Sequence, residues 1–156
     1  MKYLYIFILI ALLTGCSVNP VTGKQDFVMI SESQEVQMGR DYNAQILKQY
    51  PIYNDQELQD YVQSIGESLA LKSHRPNLLY RFTVLDSPDI NAFALPGGYI
   101  YINRGLMSYL SSEEELAAVL GHEIGHVTAR HSVRQYSQSQ ILGLLSAAVE
   151  INSGRT

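Results

Sequence analysis

The sequence has few charged residues, a single cysteine and no run of basic residues. It has no tryptophan and a single cysteine, so no disulfide can form within the chain. Its 11 basic residues are outnumbered by 15 acidic ones and form no run, so no nucleic-acid partner is indicated. Charged residues make up 17% of the chain against 46% hydrophobic ones, a balance that favours one packed domain over a disordered segment.

The N-terminus has the pattern of a bacterial export signal. Lys2 precedes an unbroken apolar run, residues 3–13, which is shorter than the ~20 residues that a membrane-spanning helix needs. The run leads into Leu13-Thr14-Gly15-Cys16, which resembles the lipobox, where the signal is removed and the cysteine is acylated. Residues 1–15 are therefore predicted to be a lipoprotein signal peptide. The alternative is an uncleaved anchor with a chance cysteine.

Acylation of Cys16 would consume the only thiol and attach the mature chain to a lipid bilayer, because several acyl chains on one residue anchor stably. Residues 16–30 would then be the lipidated cysteine and a tether, with a loop from Val18 to Phe27. Ser17 follows the cysteine, where aspartate would favour inner-membrane retention. The pattern predicts a cell-envelope lipoprotein of the outer membrane that faces the periplasm.

Hydrophobic periodicity and turn residues predict several helices and a few short strands after the tether. Capping-box spacing is found at Ser31 with Gln34 and at Ser112 with Glu115. The predicted elements are a helix from Ser31 to about Pro51, a second helix from near Asn54 with an apolar stripe that includes Tyr61, a strand through Tyr80–Val84, extended runs at Ala92–Leu95 and Tyr99–Ile102, a largely buried third helix opened by Ser112, and a helix over 141–149.

His122, Glu123 and His126 fall within the third helix at the spacing of a metal site. Residues four apart share a helix face, so the two imidazoles can bind one zinc ion at ~2.0–2.1 Å. Glu123 is offset from the first ligand and would reach a water on the metal, whose proton it can accept and return to a leaving amine. The competing interpretation is a pair of surface histidines on an amphipathic helix. The apolar setting favours the metal, because buried charge without a partner is costly.

Three sequence blocks together resemble one protein family. They are Glu115–Val127 with Arg130-His131, Asn91–Ile100 with Arg104-Gly105-Leu106, and Asn19–Gly23. They resemble the zinc helix, the second signature and the lipoprotein start of peptidase family M48, the Ste24- and Oma1-like gluzincin endopeptidases. The resemblance implies an α+β, zincin-like metallopeptidase domain, mainly helical with a small sheet beside the zinc helix.

The resemblance also implies an activity. It implies a zinc-dependent metalloendopeptidase with one Zn²⁺ per chain, in which Glu123 is catalytic and His122 and His126 bind the metal. Its expected substrates are unfolded or misassembled envelope proteins. The alternatives are a lipid-anchored binding module that lacks the third zinc ligand, and a structural lipoprotein with a fortuitous motif.

The family's third zinc ligand is a glutamate in a later Glu-x-x-x-Asp motif, which this sequence does not contain. His131 lies about 140° around the helix from His126, so it is predicted to point away if the helix continues. Glu150 is the remaining candidate ligand. Residues 31–156 are therefore interpreted as the N-terminal part of an M48-like peptidase domain, truncated at its C-terminus.

The segment from Asn91 to Ile102 is predicted to hold substrate. A peptidase that accepts many unfolded sequences can bind them by main-chain hydrogen bonds to an exposed sheet edge, where proline is tolerated and glycine allows a close backbone approach. The predicted substrate-binding residues are Asn91, Ala92, Phe93, Ala94, Gly97 and Gly98. The alternative is an ordinary hairpin buried in the core.

Overall fold

The computed structural model describes residues 16–18, 23, 25–28, 30–140 and 142. Its elements are, in chain order, β1 (Cys16–Val18), β2 (Gln25–Phe27), α1 (Glu32–Gln49), α2 (Gln56–Ala70), β3 (Arg81–Leu85), β4 (Ala92–Leu95), β5 (Tyr99–Asn103), α3 (Arg104–Met107) and α4 (Glu113–Thr128), with a further helix, α5, over 131–140. The predicted α+β class with a small sheet is confirmed. The predicted signal peptide, Glu150 and most of the helix over 141–149 lie outside the described residues.

The helix starts follow the predicted capping residues. At α1, Ser31 Oγ accepts from the N–H of Gln34, and Gln34 Oε1 accepts from the N–H of Ser31, which completes a capping box. At α4, Ser112 accepts from the N–H of Glu115, but the Glu115 carboxylate accepts from Ser111 instead of Ser112. The second half of the predicted box is therefore displaced by one residue.

The main sheet has three strands in the order β3-β5-β4. Strand β5 runs parallel to β3, with Arg81 opposite Tyr99, and antiparallel to β4, with Ala94 opposite Ile100. A 3-10 turn at Pro96–Gly98 connects β4 to β5. Strand β4 is therefore at one edge of the sheet, and the predicted strands are confirmed.

The sheet lies between helices on its two faces. On one face Ile100 and Ile102 of β5 pack with Val62 of α2 and Leu120 of α4. On the other face Tyr99, Tyr101 and Leu85 form a second cluster, against which Ile46 of α1 and Phe93 of β4 pack. Since α2 and α4 share a core with the sheet, α4 is fixed beside strand β4.

Three features of burial differ from the sequence predictions. Tyr61 was placed in the apolar stripe of α2, but it is 42% exposed and donates a hydrogen bond to Glu113, while its neighbour Val62 is fully buried. In α1 the helical recurrence of Val36, Ile46 and Tyr50 predicts the packed side, but the buried positions are Glu35 and Gly39. Helix α4 is not largely buried, because one side of it is exposed at Ala118, Gly121, His122 and Gly125.

The N-terminal segment also differs from its prediction as a loop. Strand β1 pairs antiparallel with β2, with Ser17 opposite Asp26. Of the predicted loop, Val18 therefore lies in β1 and Gln25–Phe27 form β2. Among the described helices, none combines the length and the apolar composition that crossing a bilayer would require.

Candidate metal centre

The two candidate metal ligands converge on one side of α4. His122 Nε2 and His126 Nε2 are 3.1 Å apart, and the two rings meet edge to face. Two nitrogens that each bind zinc at ~2.0–2.1 Å in a tetrahedral arrangement are ~3.3 Å apart. The separation and the chemistry of the donors therefore fit a single zinc ion.

The opposite side of α4 holds these ligands in place. Leu116, Leu120 and Ile124 are buried in the core, whereas His122 is exposed. A Cβ atom added at Gly121 or Gly125 would meet no atom of the described chain within 4 Å beyond its immediate surroundings. The side of α4 that carries His122 is thus not covered by the described part of the chain.

Glu123 lies at the boundary between the core and this open side, with 8% of its surface exposed. The ion pairs formed among the described residues join Arg75 to Glu32 and Glu35, Arg104 to Asp86, and Arg130 to Glu35, and none of them uses Glu123. Its carboxylate is therefore not neutralised by a cation of the described chain.

His131 does not point away as predicted. Helix α4 ends at Thr128, and Arg130 has a φ of 53°, which reverses the chain before α5. As a result His131 Nδ1 lies 2.7 Å from His126 Nδ1, on the side of that ring away from His122. The prediction was made for a continuous helix, and α4 does not continue to residue 131. Within the part of the chain that the structure describes, no group of three or more histidine, cysteine, aspartate or glutamate residues could hold a metal ion.

Strand β4 offers an open main-chain edge beside α4. The N–H of Asn103 donates to the carbonyl of Asn91, so these two residues form a hydrogen-bonded pair. Hydrogen-bonded pairs alternate in an antiparallel ladder, which makes Phe93 with Tyr101 the next pair. The N–H and C=O groups of Ala92 and Ala94 therefore point away from β5, toward the edge at which the described sheet has no further strand.

Gly97 and Gly98 do not lie on this open edge. Both are buried and have positive φ, 74° and 90°. A Cβ on Gly97 would lie 2.9 Å from Val36 Cα, and one on Gly98 would lie 2.6 Å from the carbonyl oxygen of Leu79. The predicted close backbone approach is real, but the chain that approaches is the protein's own. Of the predicted substrate segment, Asn91 and β4 remain at the edge.

A buried charged cluster behind α4 was not found from the sequence. Glu35 is 1% exposed and accepts from Arg75 at 2.8 Å and from Arg130 at 2.8 Å. Arg75 also donates to Glu32 and to the carbonyl of Val127, next to His126. Burial alone would lower the pKa of Arg75, but its hydrogen bonds to Glu35 and Glu32 raise that pKa above its ordinary value.

Comparison with known proteins identifies the family. Residues 56–154 match the model of Peptidase family M48, which covers more than half of the chain. The chain belongs to peptidase family M48. The family expected from the three sequence blocks is thus confirmed.

This M48 chain is similar to proteins named as proteases in bacteria and in mitochondria. It is 36% identical over 111 residues to the beta-barrel assembly-enhancing protease of Escherichia coli strain K12, covering 71% of this chain and 23% of that protein. To the protein of that name from Yersinia pestis it is 33% identical over 135 residues, 86% of this chain and 28% of the relative. To the mitochondrial metalloendopeptidase OMA1 of Arabidopsis thaliana it is 36% identical over 84 residues, 54% of this chain and 17% of the relative. The chain spans about a quarter of the length of these bacterial relatives.

Proposed function

We propose that this M48 chain is a zinc-dependent metalloendopeptidase in which His122 and His126 bind the metal and Glu123 is the general base. The observation that carries the proposal is the 3.1 Å separation of the two Nε2 atoms, with a nearly buried carboxylate at the next helical position. The relatives support the reaction class, because those compared are named as proteases and metalloendopeptidases. None of them favours the alternative of a binding module.

When bound, zinc supplies a Lewis acid that polarises a peptide carbonyl and lowers the pKa of a water toward ~7. Glu123 accepts a proton from the attacking water and delivers it to the leaving amine nitrogen. A C–O bond forms at the carbonyl carbon and the C–N bond breaks, so no other proton donor is needed for the step. Because α4 is fixed by its buried side, these three side chains keep their positions while substrate enters from the open side.

The remaining protein ligand is part of the proposal. Catalytic zinc sites usually have three protein ligands. Glu150 is the only acidic residue that follows His126 in the sequence, and it lies outside the described residues. It remains the candidate within this chain.

We propose that the substrates are unfolded polypeptides bound along β4. The outward N–H and C=O groups of Ala92 and Ala94 face no neighbouring strand among the described residues. They can pair with any extended chain, since main-chain hydrogen bonds do not depend on side-chain identity. Side chains on the two faces of β4 are used for packing, with Ala94 toward α4 and Phe93 stacked on Tyr101 at 5.0 Å. With this arrangement, the strand would select substrates by their extended backbone and not by their side chains.

The proposed location is the cell envelope, with the chain attached to the bilayer through acylated Cys16. The support is the apolar run that ends at Leu13-Thr14-Gly15-Cys16, together with the relatives named for enhancing β-barrel assembly. Misassembled envelope proteins are the proposed natural substrates.

The variant Glu123→Gln tests the assignment. It removes the proton acceptor but leaves both imidazoles, so we expect hydrolysis of unfolded casein to fall by at least ~10²-fold while zinc content stays near that of the wild type. His122→Ala and His126→Ala should lose most of the zinc. Metal is measured by plasma mass spectrometry and cleavage by release of labelled peptides.

Two results would contradict the proposal. One is casein cleavage by Glu123→Gln at the wild-type rate. The other is full zinc content in His122→Ala, which would place the metal elsewhere. His74→Ala serves as the control, because His74 is exposed in the loop between α2 and β3.

A further inference from the structure

Both nitrogens of the His126 ring have a partner in the structure. Its Nε2 faces His122 Nε2 at 3.1 Å, and its Nδ1 lies 2.7 Å from His131 Nδ1, within hydrogen-bond distance. A neutral histidine that binds metal through Nε2 carries its proton on Nδ1. His126 would then donate that proton to His131 Nδ1, and His131 would carry its own proton on Nε2.

We infer that His131 is a positioning residue that fixes the ring orientation and tautomer of His126, and that the buried ion pair of Arg130 with Glu35 holds His131 there. The inference rests on the proposed zinc site and deepens it. Histidine ligands commonly donate their second N–H to a neighbouring acceptor, which fixes the ring and makes it a stronger ligand. His131 supplies that acceptor from outside α4.

The backbone turn at Arg130 is what brings His131 back. If α4 continued, His131 would lie about 140° around the helix from His126. Arg130 instead has a φ of 53°, a left-handed conformation that non-glycine residues rarely adopt. A strained backbone conformation of this kind persists only where surrounding contacts hold the residue in it.

Those contacts are present on both ends of the guanidinium group. Arg130 Nε donates to Glu35 Oε2 at 2.8 Å, and Nη2 donates to the carbonyl of Ile30 at 2.9 Å. Glu35 is in turn held by Arg75, which also donates to the carbonyl of Val127 at 3.3 Å. The turn is thus fixed relative to α1 and to the end of α4 by charged groups that are almost completely covered.

The same cluster borders the proposed substrate strand. Glu35, His126, Arg130 and His131 line one pocket together with Ala94 and Pro96. Glu35 also accepts a long hydrogen bond, 3.5 Å, from the N–H of Gly97. His131 and Arg130 therefore share this pocket with His126 and with Ala94 of the proposed substrate strand.

The experiment measures zinc affinity of the full chain by competition with a chromogenic chelator. His131→Ala should bind zinc about 10–100-fold more weakly, the usual effect of losing an outer hydrogen-bond partner of a ligand. His131→Asn, whose amide oxygen can accept from His126 Nδ1, should recover most of the loss. Arg130→Gly allows the left-handed turn without the guanidinium and should fall between the wild type and His131→Ala. His74→Ala is the control.

A spectroscopic readout separates positioning from a general structural effect. In the zinc-loaded wild type, the imidazole N–H at His126 Nδ1 should give a slowly exchanging proton signal in NMR. We expect this signal to disappear in His131→Ala and to return in His131→Asn, with the circular dichroism of all variants unchanged.

Other outcomes overturn the inference in distinguishable ways. Wild-type affinity and an unchanged His126 signal in His131→Ala would remove the positioning role and leave the zinc site intact. Zinc loss in His131→Ala as complete as in His126→Ala would make His131 a ligand. Wild-type zinc affinity in Arg130→Gly would show that the ion pair of Arg130 with Glu35 is not needed to hold His131 in place. Absence of zinc from the wild-type chain would overturn the inference and the proposed function together.

Discussion

Glu32 and Glu35 contact the same guanidinium group but differ in their exposure. Both accept hydrogen bonds from Arg75, at 2.9 and 2.8 Å, yet the side chain of Glu32 is 69% exposed and that of Glu35 is 1% exposed. Glu35 also faces Arg130. The two glutamates, three positions apart on α1, therefore offer a matched comparison of an exposed and a buried ion pair.

Glu35→Gln should lower the free energy of unfolding by about 3–5 kcal/mol, because two largely buried guanidinium groups lose their shared carboxylate. Glu32→Gln should change it by less than about 1 kcal/mol, as is usual for exposed pairs. Urea denaturation followed by circular dichroism measures both. Equal effects of the two substitutions would show that Glu35 is not the centre of the cluster.

The residues of the site differ in how far they could be predicted. His122, Glu123 and His126 are neighbours on one helix, so their proximity follows from helical geometry alone, and their roles remain a prediction. Glu35 and Arg130 are 95 positions apart and meet only in the folded chain. No periodicity marks Glu35 as buried within the polar sequence of α1. The return of His131 depends on the same long-range contacts.

At the scale of elements, the two edges of the main sheet differ in whether their main-chain groups have hydrogen-bond partners among the described residues. The outer edge of β3 is occupied: Gln59 and Gln63 of α2 accept from the N–H groups of Val84 and Phe82, and their amide groups donate to the carbonyls of Val84 and Tyr80. Opposite, β4 has no neighbouring strand in the described sheet. Covering an edge in this way prevents pairing with another chain.

The variant Gln63→Leu should expose part of the β3 edge. It leaves the N–H of Phe82 without its acceptor, so we expect a loss of about 1–3 kcal/mol in stability and concentration-dependent self-association. Gln37→Leu is the matched control, since Gln37 is an exposed glutamine whose side chain donates to Asp41 within α1. Sedimentation velocity across a range of concentrations measures the association. Association of both variants to the same extent would attribute it to surface hydrophobicity.

The variant Ala94→Pro tests the open edge. Proline removes the outward N–H of residue 94, so KM for an unfolded peptide should rise by about 5–10-fold, on the order of one hydrogen bond, with zinc content unchanged. Ala94→Ser keeps the N–H and is the control. An unaltered KM in a folded, zinc-loaded Ala94→Pro protein would rule out strand addition at β4.

Element boundaries were largely predictable, whereas their packing was not. Local signals define α1, since Ser31 and Gln34 cap it and Pro51 follows its end. Tyr61 was misplaced because helical spacing alone cannot say how far the partner core extends across a helix face. The pairing of β1 with β2 was not predicted because these strands have three residues each, too few for periodicity to appear.

At the scale of the whole molecule, attachment to a membrane is a prediction that depends on one atom, the sulfur of Cys16. Cys16→Ser should abolish incorporation of labelled palmitate and release the protein from the membrane fraction, since no acyl chain can be attached. The measurements are radiolabelling, fractionation and intact mass. Membrane association and mass that remain unchanged in the variant would contradict acylation.

The groups that hold His131 are far apart in the sequence, and this separation affects the order in which the site forms during folding. Arg130 bonds to Ile30 and Glu35, 100 and 95 positions earlier, so this contact closes a loop that includes most of the described chain. Closing so large a loop carries a high entropic cost and follows the formation of local helices. During synthesis the ligand-bearing helix can therefore form well before its second histidine is fixed. We expect the proposed metal centre to mature last, so that the proposed peptidase activity would appear only once the chain itself has folded.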